Sequence, residues 1–314
     1  MPGSTSSPTS AATPGPAVEG AATAAGAPTP PASLAIVLPA FNEVDRLGPA
    51  LDELFAWLRA ALPDAAASRA SVAATPGAGA HGSVASGQAP LPPQVEVIVV
   101  DDGSTDGTAD LVRARPEIDG PLPGVSLRVM TVPHAGKGAA VRAGMLATRS
   151  DLAIFTDADL ATPPDQIPTL VEALATSQVV LGSRIQKDGR DMRASQPRYR
   201  RLIGRAFHLL AAWWVTGPVR DTQCGFKGFT REAAHDLFAR QRVISIVFDV
   251  ELIFLARRRG YQMAEVSVLW EDRRGSRMRA RPGLAVRVAW DLFRIPLIHR
   301  SVGRPGRRPD DGGS

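Results

Sequence analysis

Leu152-Ala153-Ile154-Phe155-Thr156-Asp157-Ala158-Asp159 is a short apolar run that opens directly onto two carboxylates. Four to six continuous apolar residues bounded by polar ones read as a strand covered on both faces. The pattern recurs on either side. Leu34 to Leu38 leads into Pro39-Ala40-Phe41-Asn42-Glu43, and Val95 to Val100 leads into Asp101-Asp102-Gly103-Ser104. Gln178 to Gly182 leads into Ser183-Arg184, and Leu127 to Val132 is a further run of the same kind. Between them, helical patterns span Glu43 to Leu62, Asp106 to Arg115, Lys137 to Thr148 and Asp165 to Thr176. This alternation predicts an α/β fold: a mostly parallel central sheet flanked by helices. Such sheets bind ligands at the carboxyl ends of their strands. Four of those ends are polar, acidic or basic, so chemistry is expected there.

The second half reads as more helical. Helices are expected over Arg198 to Val215, Thr230 to Gln241 and Phe248 to Arg259, with a strand over Met263 to Trp270. A last helix runs from Leu284 to His299, and Pro296 should bend or end it. On it Arg287, Asp291 and Arg294 form one narrow stripe, and the rest is Leu, Val, Ala, Trp, Phe and Ile. A helix so apolar is buried in protein or lies in a membrane interface. Phe207 to Val215, with Trp213 and Trp214, reads either as core or as a second interfacial stretch.

Composition sets the limits. Residues 1–33 are nearly all Ala, Pro, Gly, Ser and Thr with one charge, Glu19. Such a segment buries too little apolar surface to offset its ordering entropy, and it lacks the pattern of a signal peptide. The same composition at about 65–93 reads as a flexible insert, and 303–314 as a polar tail. The globular part is then a single domain over 34–302. One cysteine, Cys224, excludes a disulfide framework and reads as a small buried residue. No apolar run reaches the ~20 residues that span a bilayer. These features predict a cytoplasmic chain, soluble or peripheral on a membrane face. Net charge is +5, yet from Glu271 to Arg308 eleven arginines face three acidic residues. That excess suits phosphate or an acidic surface. It lacks the aromatic interleaving of a nucleic-acid binder.

Several residues carry candidate chemistry. Asp157 and Asp159 are costly together unless a cation joins them, and a divalent metal bridging carboxylates to substrate phosphates fits. The plainer reading is a helix cap. Thr105 or Asp106 reads as the cap of the next helix, whereas Asp102 is available to a nucleoside. Neither a G-x-G-x-x-G fingerprint nor a P-loop is present. Lys137, between Gly136 and Gly138 at a helix start, is either a phosphate contact or an exposed residue in a tight turn.

Pro-Ala-Phe-Asn-Glu at 39–43, Val99 to Thr108, the segment from Gly136 to Ala140, Asp157-Ala158-Asp159 and Gly182-Ser183-Arg184 occur in the order and spacing of family 2 glycosyltransferases. The resemblance covers Leu34 to about Arg281. Arg220-Asp221-Thr222-Gln223-Cys224-Gly225-Phe226-Lys227, followed by Phe248-Asp249-Val250-Glu251, resembles the polyprenyl-phosphate branch. It is most similar to dolichyl-phosphate β-glucosyltransferases and next to dolichyl-phosphate mannose synthases. The resemblance implies a GT-A fold and inverting transfer of a sugar, glucose from UDP-glucose, to a polyprenyl phosphate at the cytoplasmic membrane face.

It also implies roles. Pro39, Phe41, Glu43, Val100 and Asp102 would hold base and ribose, with Lys137 and Ala158 beside the donor. Asp157 and Asp159 would hold Mg²⁺ or Mn²⁺. Arg184, Arg200 and Arg273 would grip phosphates. Mannose synthases often carry a Gln where this chain has Ala161, a departure that fits the glucosyl branch. A lipid phosphate is already ionised and needs no base. Were the acceptor a hydroxyl, Asp249 or Asp221 would be the base. Otherwise these two read as loop caps or ion-pair partners of Arg220. Further alternatives are a GDP-mannose donor and a non-catalytic protein binding a sugar nucleotide or anion.

Overall fold

The computed structural model describes residues 30–62, 90–120, 122–186, 188, 190, 192, 211–271, 273 and 282–303. Nearly all of the low-complexity amino terminus, most of the expected insert, most of the tail, the helix expected from Arg198 as far as 210, and Arg200 lie outside them.

The strands are β1 (Ser33–Ala40), β2 (Gln94–Asp101), β3 (Val125–Thr131), β4 (Leu152–Phe155), β5 (Val179–Ser183), β6 (Lys227–Thr230) and β7 (Met263–Ser267). They form one sheet in the order β3-β2-β1-β4-β6-β5-β7. Every pairing is parallel except those made by β6, which runs antiparallel to both β4 and β5. The carboxyl ends of β1, β2, β4 and β5 therefore share one edge, as the strand-end pattern requires.

β6 is absent from the sequence expectation, because Lys227-Gly228-Phe229-Thr230 has no apolar run. It is a strand because its neighbours supply what it lacks. Phe229 packs in the core, and the buried Lys227 ammonium finds Asp249 Oδ1 at 2.8 Å. The strand expected to reach Trp270 ends at Ser267.

The helices are α1 (Val44–Ala61), α2 (Thr108–Arg113), α3 (Lys137–Ala147), α4 (Ile167–Leu174), α5 (Arg231–Arg240), α6 (Phe248–Arg259) and α7 (Pro282–Ile298). A π-helical turn covers Ala212–Thr216. The helix expected from Asp165 opens instead as a 3-10 turn over Pro164–Gln166, where prolines withhold backbone donors. Thr230 caps α5 by accepting from Ala233 N at 3.4 Å. Pro296 does not stop α7 at once, and the helix runs two residues further, to Ile298.

Strand alternation divides the core between the two faces of the sheet. Leu34, Ile36, Leu38, Val95, Val97, Val99 and Ile154 join α1 and α4. Ala35, Val37, Ile98, Val100, Ala153 and Phe155 join α3, α5 and α6. Each fully buried Leu or Phe in these layers contributes about 1.5–3 kcal/mol. α3 lies close on the sheet because Gly144 has no side chain. A Cβ there would stand 2.8 Å from Val100 Cγ2. A third cluster ties Ala211 and Val215 to Val243, Val247, Val250, Leu292 and Ile295, seating α7 on α6.

Candidate active site

The β1 and β2 exits are welded together. Pro39 and Val100 are register partners, both buried. Asn42 takes a left-handed φ of 55°, its N–H donates to Ser104 Oγ at 2.9 Å, and its Oδ1 accepts from Thr105 N at 2.9 Å. Glu43 N donates to Thr108 Oγ1 at 2.8 Å. Asp106 caps two starts at once, accepting from Val44 N at 3.2 Å and from Thr108 N at 3.0 Å. Burial works against its charge, but those hydrogen bonds prevail and hold its pKa below the usual carboxylate range.

Asp102 is buried and turned inward. Its two oxygens accept from Ala135 N and Gly136 N, each at 2.9 Å, and His134 Nδ1 lies 2.8 Å away. Asp102 thus ties down the loop after β3. The exposed ring of Phe41 stacks on His134, centroids 4.1 Å apart and planes 19° apart. That pair forms an aromatic shelf beside the Pro39–Val100 floor. His134 escaped the sequence reading because the β3 exit, Val132-Pro133-His134, carries no acidic flag.

The β4 exit, on the strand paired with β1, carries the predicted pair. Asp157 Oδ1 receives the Lys137 ammonium from the first residue of α3. Lys137 is therefore an ion-pair partner rather than a loose lysine in a turn. Burial opposes its charge, but Asp157, Asp249 and Asp159 outweigh it and raise its pKa. Asp157 lies this close to the chain because position 225 is glycine. A Cβ there would stand 2.6 Å from the Asp157 Cγ. Asp159 Oδ1 accepts from Ala161 N at 3.2 Å, and Oδ2 meets Arg46 Nη1 at 3.3 Å. Burial, then the neighbouring Asp157 charge, pushes the Asp159 pKa up. Ala158 between them is buried.

Arg46 was not foreseen. Its other nitrogens clamp the carboxylate of Glu43, with Nε at 2.5 Å from Oε2. A basic residue three positions after Glu43, on the first turn of α1, is the signal that marks it.

The arginines arrive with partners. Arg184 at the β5 exit is gripped by Asp221 through Nε at 2.7 Å and Nη2 at 2.8 Å, and its guanidinium lies 5.7 Å from the Trp270 ring centroid. Burial works against the charge, but Asp221 raises the Arg184 pKa on balance. Arg273 is held bidentately by Glu53 of α1 at 2.7 and 2.9 Å. The alternative partner for Asp221 and Asp249, Arg220, is corrected: Asp221 pairs with Arg184, and Asp249 with Lys227. Arg220 uses its backbone N–H on Glu265. Cys224 is a buried thiol whose pKa burial raises to about 11.

Among the described residues, no cluster of three or more His, Cys, Asp or Glu side chains is arranged to hold a metal. The Asp157/Asp159 pair nonetheless fits a hard divalent cation, since Mg²⁺ is often held by one or two carboxylates together with substrate phosphates.

The sequence profile of glycosyl transferase family 2 matches residues 82–238. A dolichyl-phosphate β-glucosyltransferase of Trichomonas vaginalis is 34% identical, over 84% of this chain and 71% of its own length. The Drosophila melanogaster dolichyl-phosphate β-glucosyltransferase is 33% identical over 80% and 70%, and the human one 31% over 80% and 71%. Among solved structures, glucosyl-3-phosphoglycerate synthase of Mycobacterium tuberculosis, captured with Mn²⁺, UDP-glucose and phosphoglyceric acid, aligns at TM-score 0.52. It is 22% identical over 87% of this chain and 81% of that one. Mannosyl-3-phosphoglycerate synthase of Rubrobacter xylanophilus aligns at 0.52, with 19% identity over 88% and 76%. These two likenesses bear on the fold, whose mostly parallel sheet they share.

Proposed function

Because the chain belongs to glycosyl transferase family 2, we propose that it transfers glucose from UDP-glucose, with inversion, to a polyprenyl phosphate of the dolichyl kind at the cytoplasmic face of a membrane. The observation that carries this reading is the β4 exit. There two carboxylates one residue apart are paired with Lys137 and Arg46, and one backbone donor, Ala161 N, reaches Asp159. Asp157 and Asp159 would hold Mg²⁺ or Mn²⁺. Such a cation, when bound, supplies Lewis-acid stabilisation of the charge on the departing diphosphate.

The chain's own groups do the rest. Lys137, at the amino terminus of α3, adds a positive charge and the helix dipole where phosphates gather. Phe41 on His134 offers a face for the base, above the Pro39–Val100 floor. Asp102 keeps the His134–Gly136 loop in place beneath it, and Glu43 keeps Arg46. For a hydroxyl acceptor the bases would be Asp221 or Asp249, yet both are buried and engaged by cations. An acceptor that arrives already ionised needs neither, which supports a lipid phosphate. Arg184 and Arg273, together with Arg200, are assigned to that phosphate: a guanidinium carries five N–H donors, and the bonds that anchor the first two to Asp221 and Glu53 use two of them in each.

Membrane contact is assigned to α7. Its Trp290, Phe293 and Leu297 are exposed on one side, and the half-exposed Trp214 stacks on Phe293 at 5.9 Å. Arg287 and Arg300 are exposed on the same segment, while Asp291 faces inward onto Ser245 at 2.6 Å. Aromatic rings with arginines and no outward acid suit an anionic lipid interface. No helix of the described residues is long and apolar enough to cross a membrane.

The test is a donor screen with the purified full chain, Mn²⁺ or Mg²⁺ and a polyprenyl phosphate. Glucolipid made from labelled UDP-glucose is the expected product. Transfer from GDP-mannose alone overturns the donor, and product on a hydroxyl acceptor alone overturns the acceptor.

A further inference from the structure

Arg46 stands where the helix dipole does not favour it. It is a cation in the first turn of α1, where an anion is preferred. Two carboxylates hold it there. Glu43 takes Nε and Nη2, and the remaining nitrogen, Nη1, spans 3.3 Å to Asp159 Oδ2. The two contacts differ in kind. The Glu43 contact is a two-point clamp between neighbours on one turn. The Asp159 contact is a single long bond across 113 residues of chain. Asp157 in turn has the Lys137 ammonium, in a close contact. Each member of the carboxylate pair is thus matched to one of the chain's own cations.

We propose that Arg46 is the internal counter-ion of Asp159, and that it becomes a diphosphate clamp when the metal and sugar nucleotide load together. The proposal rests on the reading of Asp157 and Asp159 as metal carboxylates. A bare divalent ion entering this site adds two positive charges beside Arg46 and Lys137, against Asp157, Asp159 and Glu43; Asp249, which also faces Lys137, is already neutralised by Lys227. The charge does not balance until a diphosphate arrives. The diphosphate supplies the missing negative charge and new acceptors for Nη1 and the Lys137 ammonium. Glu43 keeps the guanidinium in place throughout, so Nη1 needs only a small turn to move from carboxylate to phosphate. Metal and nucleotide therefore bind with strong mutual dependence, and bare metal competes with Arg46 for Asp159.

The experiment is a Mn²⁺ titration of the full chain followed by electron paramagnetic resonance of free Mn²⁺, with and without UDP. For the wild type, UDP is expected to tighten Mn²⁺ binding at least about tenfold. Equal affinity in the two titrations overturns the proposal without any variant. Arg46→Met keeps the stem and removes the charge. It is expected to bind Mn²⁺ alone roughly two- to fivefold more tightly than wild type, as suits the loss of one partly buried competing ion pair. It is also expected to bind Mn²⁺–UDP about tenfold more weakly. Arg46→Lys, which keeps a point charge without the fork, should restore the competition but not the clamp. Unchanged Mn²⁺ affinity in Arg46→Met sinks the counter-ion role, and unchanged Mn²⁺–UDP affinity sinks the clamp. If the wild type takes up no Mn²⁺ even with UDP, the metal reading itself fails, a result distinct from either.

Discussion

The two ends of β4 treat an aspartate in opposite ways. At the entry, Asp151 Oδ2 accepts from Ala32 N at 2.9 Å, Ser33 N at 3.2 Å and Ser33 Oγ at 3.1 Å, while Oδ1 meets Arg231 at 2.8 Å. The Ala32 hydrogen bond leads the causes that hold its pKa below the usual carboxylate range, against a small cost of burial. At the exit, Asp159 has one backbone donor, and burial with the Asp157 charge pushes its pKa up. One residue type on one strand thus does two jobs. The entry carboxylate is satisfied by the fold and ties β1 to β4. At the exit, Asp159 keeps a raised pKa even with Arg46 beside it, which is how a carboxylate awaiting a cation differs from a structural anchor.

The contrast is broken most severely by removing charge at the exit. Asp157→Asn and Asp159→Asn, measured separately, are each expected to lower glucosyl transfer by about 10³-fold, well beyond the 10- to 100-fold typical of supporting residues around a metal. Asp151→Asn should leave the transfer rate within about twofold. Retained activity in either exit variant would erase the distinction. Gly225→Ala probes the same end through space, because the added methyl displaces the Asp157 carboxylate. A fall in transfer of about 10- to 100-fold is expected, with no comparable loss of melting temperature.

Stability should read the other way. Asp151→Asn keeps one acceptor oxygen but loses the charge that strengthens the Ala32 and Ser33 hydrogen bonds and pairs with Arg231, and at this partly exposed site it is expected to cost about 0.5–1 kcal/mol in urea unfolding at neutral pH. The sign in pH follows from the depressed pKa. The contribution is complete above the unfolded-state value of about 3.9 and is lost as pH falls through the lower folded value. The gap between wild type and Asp151→Asn should hold from pH 8 to pH 5 and close only in more acidic solution. Asp159 has the reverse sign, since its raised pKa makes the ionised form a cost to the fold at neutral pH. Asp159→Asn should therefore be as stable as wild type or gain up to about 1 kcal/mol while losing activity. A large loss of stability in that variant would return Asp159 to a structural role.

This division also explains what the sequence discloses. β1, β2, β4 and β5 announce themselves as apolar runs that end in charge, so the edge they share and Asp157, Asp159, Lys137 and Arg184 on it could be read directly. β6 could not. Lys227 and Gly228 look like loop, and the buried lysine is made tolerable by Asp249, 22 residues away, together with the Cys224 carbonyl. Arg220 stands next to Asp221 in sequence, yet the carboxylate turns to Arg184, 37 residues distant. Arg46 reaches Asp159 across still more chain. These pairings depend on which side chains the sheet order brings face to face, and periodicity does not encode them. The inward turn of Asp102 likewise depends on donors from the loop after β3.

Calorimetry of UDP-glucose with the full chain tests most directly whether the carboxyl end of β4 is a metal-dependent sugar-nucleotide site. Binding is expected in Mn²⁺, lost when EDTA replaces the metal, and lost in Asp157→Asn and Asp159→Asn while Asp151→Asn binds as wild type does. Binding of equal strength without metal, or in both exit variants, would contradict it.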